Sequence, residues 1–287
     1  GDETAIERIA YEMCEDESRQ GVAYFELRYS PHFFASTDGL LAKDFKHLSP
    51  ERVVQCVTKG LQRGEKDFNV KARTILCCNN KRPDWSSDVL ELCKLHRNEG
   101  VVGIDCSFGE PTSGEYDQRI VDSFLRAKEL GIHRTCHAGE SPNSSKNIAF
   151  AIDKMFAERI GHGYHVVEDA DLYESYKHRV HFETCPVSSY LTGAVTSNFN
   201  NGKHPIVQFA EDNVSFSISK DDTTMVQTTL DDEYKYLMNL GLTEAYFVKS
   251  NLNSAKASFL PKEEKIELIN DILNAYGIFE NMMENIN

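Results

Sequence analysis

Positive charge is scarce in this chain: 31 lysines and arginines face 45 aspartates and glutamates, a formal net charge of −14. Binding to a phosphate backbone needs clustered Lys and Arg, so nucleic acid is not the expected partner, although a neutral nucleoside is not excluded. No apolar run is long enough to span a bilayer, which takes about 20 residues. No Cys-x-x-Cys pair occurs among the eight cysteines, at 14, 56, 77, 78, 93, 106, 136 and 185. Several of them fall inside apolar runs, so buried free thiols are expected rather than a disulfide framework. No Gly-x-Gly-x-x-Gly turn is present, which argues against a doubly wound dinucleotide-binding sheet. No signal peptide is visible either, but the chain opens at Gly1 without a methionine, so its natural N-terminus is expected to lie upstream.

What is present is a steady alternation of strand and helix. Ile6, Ile9, Ala10 and Met13 recur at helical spacing within a helix from Thr4 to about Arg19,. A strand follows over Val22–Tyr29. Residues 35–48 read as a loop, and Ser49-Pro50 as a helix start. Further strands are expected over Val70–Cys78, Val101–Cys106, from Ile132, over Arg159–Tyr164, from His181 and over Ser215–Ser219, with helices between and after them. Residues 187–203 read as irregular, and the tail from Glu280 as frayed. The pattern predicts one α/β domain over residues 1–287, without a linker. Seven strands are one fewer than a closed (β/α)8 barrel of about 250 residues requires. The chain starts on a helix, so the first barrel strand would precede Gly1.

Three stretches end brief β-prone runs in chemically able side chains. They are Thr135-Cys136-His137-Ala138-Gly139-Glu140, Gly161-His162-Gly163-Tyr164-His165 and Ser219-Lys220-Asp221-Asp222. In a parallel barrel all C-terminal strand ends meet at one face, and chemistry sits there. The expectation is that His137 and Glu140, His162, and Asp221 with Asp222 converge. Imidazole suits zinc, and a nearby carboxyl can carry a proton. Each element also has a structural reading: a surface turn for His137 and Glu140, a glycine-rich turn for His162, and a helix N-cap for the aspartates. His133 and His165 read as packing or surface residues, Glu26 and Arg28 as a structural ion pair, and Trp85 as a loop anchor.

Taken together, His-Ala-Gly-Glu, Gly-His-Gly-Tyr-His, the run Cys185-Pro186-Val187-Ser188-Ser189-Tyr190-Leu191-Thr192-Gly193-Ala194 and Asp221-Asp222 resemble the adenosine deaminase family in order and spacing. Leu27-Arg28-Tyr29-Ser30-Pro31 and Val70-Lys71-Ala72-Arg73-Thr74-Ile75-Leu76-Cys77-Cys78 add to it, so the resemblance extends to about Gly277. It implies a (β/α)8 barrel and zinc-dependent hydrolysis of adenosine and deoxyadenosine. His137 and Asp221 would be zinc ligands, His162 would orient and deprotonate the water, and Glu140 would protonate N1 of the purine. Asp222 would hydrogen-bond N7, and Gly109 would offer its backbone to the purine. Glu140 would have to be buried to stay protonated until it acts.

The sequence departs from the family in three places. It contains no His-x-His, the family's source of two more zinc ligands, and two donors make a weak site where catalytic zinc takes at least three. The 287 residues are therefore not expected to turn over alone. Lys220 and Thr223 replace the threonine and proline that flank the aspartate pair in the family, and a cation near the metal would weaken binding. Phe108-Gly109-Glu110 stands where the family has Gly-Asp-Glu. The resemblance further implies a cytoplasmic enzyme, with a secreted relative as alternative. The functional alternatives are a deaminase of adenine or of adenine nucleotides, and an inactive nucleoside-binding or signalling homologue.

Overall fold

The computed structural model describes residues 1–35 and 48–278. The loop expected between residues 35 and 48 and the tail from Glu280 lie outside the described residues. The chain divides into two compact units, residues 1–136 with 154–157, and residues 137–153 with 158–287.

The first unit holds α1 (Glu3–Arg19), β1 (Tyr24–Tyr29), α2 (Pro31–Ala35), α3 (Pro50–Phe68), β2 (Lys71–Asn79), α4 (Ser86–Leu95), β3 (Val101–Ser107), α5 (Gln118–Glu129) and most of β4 (His133–Ala138). Local chemistry sets the helix starts. The Asp2 carboxylate accepts the Thr4 and Ala5 N–H groups at the head of α1, and Ser49 Oγ accepts the Arg52 N–H at 3.1 Å at the head of α3,. The strands are parallel and neighbour one another in chain order, in registers that include Tyr24 against Lys71, Ile75 against Gly103, and Gly103 against His133. Helices therefore carry every crossover. Arg28 Nη1 lies 3.5 Å from the fully buried Asp105 carboxylate, and the Tyr24 hydroxyl donates to Glu26 at 2.7 Å. Trp85 stacks on His32 with centroids 5.0 Å apart, under the Arg82 guanidinium.

Two glycines set how closely α1 and α3 approach. A Cβ at Gly60 would overlap the Glu7 carbonyl oxygen, and one at Gly64 would overlap the Cys14 side chain. Alanine normally favours a helix over glycine by about 1 kcal/mol. Here Gly60→Ala and Gly64→Ala are each expected to destabilise by about 1–3 kcal/mol through overpacking. Urea midpoints check this, and an unchanged or raised midpoint would contradict the close packing.

The second unit begins with His137 and Ala138, the end of β4. It continues through α6 (Ser145–Asp153), β5 (Arg159–His162), α7 (Ala170–Tyr176), β6 (His181–Thr184), α8 (Pro186–Leu191), α9 (Pro205–Glu211), β7 (Phe216–Ile218), α10 (Thr223–Val226), α11 (Leu230–Asn239), α12 (Glu244–Ala257) and α13 (Lys262–Ala275). β5, β6 and β7 are again parallel and in chain order. Ile148, Ile160, Tyr164, Phe182 and Phe209 are buried between sheet and helices, where each large apolar side chain contributes about 1.5–3 kcal/mol.

Among the described residues, seven strands stand where seven were expected. Three short helices depart from the sequence reading: α2 and α10 were not anticipated, and α8 occupies a stretch expected to be irregular. β5 is also shorter than expected, ending at His162 because His162 and Gly163 both turn left-handed, with φ +63° and +73°. All eight cysteines are buried free thiols, as expected. Among the described residues, no helix is long and apolar enough to cross a membrane.

Candidate active site

The second unit brings the ends of β4, β5 and β7 together. Past β4 the chain reverses at Gly139, whose φ is +74° and where a Cβ would overlap Ile148. Two backbone bonds fix this turn to the end of β5, Gly163 N–H to the Ala138 carbonyl and His165 N–H to the Gly139 carbonyl, each 3.0 Å. Gly161 leaves room for His137, since a Cβ there would lie 3.3 Å from the His137 Cα and Cγ atoms. The His137 and His162 rings consequently sit 5.3 Å apart.

His162 is 4% exposed, and its Nδ1 is buried without a hydrogen-bond partner among the described residues. Such an atom is costly in a finished core. A non-glycine residue at φ +63° is also uncommon, and strain of this kind clusters at functional sites,. Glu140 Oε2 stands 3.8 Å from His162 Nε2, with 30% of its side chain exposed. Glu140 is part-buried, projecting from the polar turn after β4.

Asp221 follows β7 with φ +65°. Ser188 Oγ donates to its Oδ2 at 2.7 Å. Burial raises the pKa of this carboxyl, but the charge of His162, the Ser188 bond, the charge of His137 and the Asp222 N–H together outweigh it and hold the group below the usual range,. Asp221 as a whole is exposed, unlike its buried neighbour His162. Asp222 is exposed and caps α10, its Oδ1 accepting from Thr224 N–H at 3.2 Å and Met225 N–H at 3.3 Å. The helix-cap reading therefore describes one of its oxygens. Gly109 belongs to the first unit, in the loop after β3, with φ +90°.

Three residues enter the site that the sequence reading did not assign. The donor atoms of His162, Cys185 and Asp221 lie within 4.8 Å of one another. Tyr164, whose ring centroid is 6.3 Å from that of His162, accepts the Cys185 N–H on its hydroxyl at 2.7 Å. Ser188 holds Asp221. All three lie in the stretches that carry the family resemblance, but only the fold shows which atoms meet. Imidazole and carboxylate donors, with a thiol beside them, suit a zinc-type cation. His165 is structural: it is buried, with Nε2 at 2.9 Å from the Ala194 carbonyl and Nδ1 at 2.8 Å from Glu168.

Behind these residues lie Lys220 and Glu233, both buried. Burial raises the Glu233 carboxyl to about 7, while the Val187 N–H and, less strongly, the Lys220 charge pull it down. Lys220 thus carries a counter-charge towards Glu233.

His204 packs against Tyr164 and Tyr236, with centroids 5.9 and 6.1 Å away. Its Nδ1 accepts the Ile206 N–H at the head of α9, and burial lowers its pKa to about 4. The unfolded chain takes up this proton near pH 6.5, before the folded chain does. The stability His204 contributes is therefore complete above pH 6.5 and is lost as pH falls through 4, about 3 kcal/mol in all. His204→Asn keeps a capping side chain and removes the titration. Its unfolding free energy is expected to fall less steeply between pH 6.5 and 4, and parallel profiles for wild type and variant would contradict this assignment.

A family profile described as adenosine deaminase matches residues 1–275. The adenosine deaminase of Gallus gallus is 44% identical over 286 residues, covering 97% of this chain and 78% of that one. Among solved structures, the N6-methyl-AMP deaminase of Arabidopsis thaliana superposes with a TM-score of 0.81 at 25% identity, covering 97% of this chain and 80% of that one. An amidohydrolase from Burkholderia ambifaria with bound Zn reaches a TM-score of 0.83 at 21% identity, over 95% of this chain and 73% of that one. The fold class is the (β/α)8 barrel type, with seven of its parallel strands among the described residues.

Proposed function

This chain belongs to the adenosine deaminase family, and on that premise we propose that His137, Glu140, His162, Asp221 and Asp222 carry a zinc-dependent hydrolysis of adenosine and deoxyadenosine. The observation that carries the proposal is the meeting of His137, Glu140, His162 and Asp221 in one unit, with His162 3.8 Å from Glu140 and 5.3 Å from His137.

His137 and Asp221 would hold the metal, Asp221 as the anion that Ser188 and His162 favour. When bound, zinc makes water a nucleophile at neutral pH by lowering its pKa from about 15.7 to about 7. His162 orients the attacking water and takes its proton. Glu140 gives a proton to N1 of the purine, which makes C6 electrophilic. The water oxygen bonds to C6, the C6–N6 bond breaks, and N6 leaves as ammonia. The proton that His162 takes from water goes to the leaving N6, and the second water proton, released as the C6–OH becomes a carbonyl, returns to Glu140, so both carriers are restored. Asp222 would hydrogen-bond N7 through the oxygen that the α10 cap leaves over.

A substrate panel tests the reading. Adenosine and deoxyadenosine are expected to be converted with kcat/KM at least ~100-fold above AMP or N6-methyl-AMP, because a nucleoside site leaves a phosphate unpaired. Preference for either nucleotide would move the assignment to a nucleotide deaminase.

A further inference from the structure

We infer that Glu233 is a positioning residue for Asp221, acting through the first turn of α8 and Ser188. The inference rests on the metal-holding role given to Asp221. α8 begins at Cys185-Pro186-Val187-Ser188, and the Cys185 side chain makes no capping bond. Helix starts leave N–H groups unsatisfied, and buried ones need an acceptor. Glu233, fully buried on α11, supplies it: its Oε2 accepts the Val187 N–H at 2.9 Å. One residue further on, Ser188 Oγ donates to Asp221 Oδ2 at 2.7 Å. The Asp222 N–H also bonds the Asp221 carboxylate.

A carboxylate on one helix thus fixes the turn whose next side chain aims a metal-binding carboxylate. The strained backbone of Asp221, with φ +65°, does not fix its own side chain, so outside restraint matters there. Groups that orient metal ligands typically change metal affinity 10–100-fold when removed. Burying a carboxyl merely to pack α11 would be disfavoured. Its remaining oxygen, Oε1, has no hydrogen-bond partner among the described residues. A packing role alone does not explain the directed bond that it makes to the head of α8.

The test compares Glu233→Ala, Glu233→Gln, Ser188→Ala and the double alanine variant. Zinc affinity is read by chelator competition, with Asp221→Asn as the control for the metal reading. Glu233→Ala is expected to weaken zinc about 10–100-fold. Glu233→Gln, whose amide oxygen can accept the same N–H, should return to within ~3-fold of wild type, because the bond is what matters. The double variant should bind no more weakly than Ser188→Ala, because coupled residues are non-additive. Failure of glutamine to rescue, additivity in the double variant, or a Glu233→Ala chain with lowered Tm and unchanged zinc affinity overturns the inference. Amide exchange in the zinc-free chain supplies a reading that needs no metal. Glu233→Ala should speed exchange at Val187 and also at Asp222, whereas faster exchange at Val187 alone overturns it. If Asp221→Asn binds zinc like wild type while Asp222 exchange responds to Glu233, the metal reading fails and the mechanical link stands.

Discussion

Glu140→Gln is expected to lower kcat for adenosine deamination by about 10²–10⁴-fold, the range for losing a positioned general acid, while zinc content and KM stay near wild type. Glutamine keeps the shape and a hydrogen-bonding end but has no proton to give. Glu140 Oε2 lies 3.8 Å from His162 Nε2, and the side chain is partly open, so the substitution leaves no buried orphan and should not unfold the site. The assay is steady-state inosine formation by the protein at its full natural length, with metal analysis alongside. A kcat within ~3-fold of wild type would remove Glu140 from the proton path, and a loss of zinc would instead make it a metal ligand.

Asp221→Asn is expected to abolish zinc retention and lower kcat/KM by more than ~10³-fold, since metal assistance supplies several kcal/mol and each 1.36 kcal/mol is tenfold. The fold should survive. Asp221 has φ +65°, and asparagine is among the few residues that accept this region readily. Its side-chain oxygen can still accept from Ser188 Oγ, so the variant removes charge and little else. Asp221→Ala should lose zinc equally and also lose about 1–2 kcal/mol of stability to backbone strain. Paired thermal melts and metal analyses separate the two effects. Undiminished zinc in Asp221→Asn would take the metal away from this residue.

The groups proposed to react are legible in the sequence because each stands in a short local motif. His137 and Glu140 flank a turn at Gly139, His162 lies between two glycines, and Asp221 ends a β-prone run. What surrounds them was not legible, since no spacing rule links Ser188 to Asp221, 33 residues apart, or Val187 to Glu233, 46 apart. Those contacts exist only once β6, β7 and α11 have packed. The missed helices α2, α8 and α10 are four to six residues long, under two turns, so a 3.6-residue period cannot show in them. The end of β5 was placed too far along because Gly161–Tyr164 looks extended by composition, while the left-handed φ of His162 ends pairing there. Asp222 carried two readings from the start, and the α10 cap is a local contact that Asp favours at that position.

Zinc content measured together with adenosine-to-inosine conversion, on the protein at its full natural length, tests the central claim most directly. The account predicts about one zinc per full-length chain, as a catalytic site holds, with one ammonia released per inosine and both zinc and turnover lost in Asp221→Asn. A full-length protein that holds zinc equally well without Asp221, or that makes no inosine from adenosine while loaded, would contradict it.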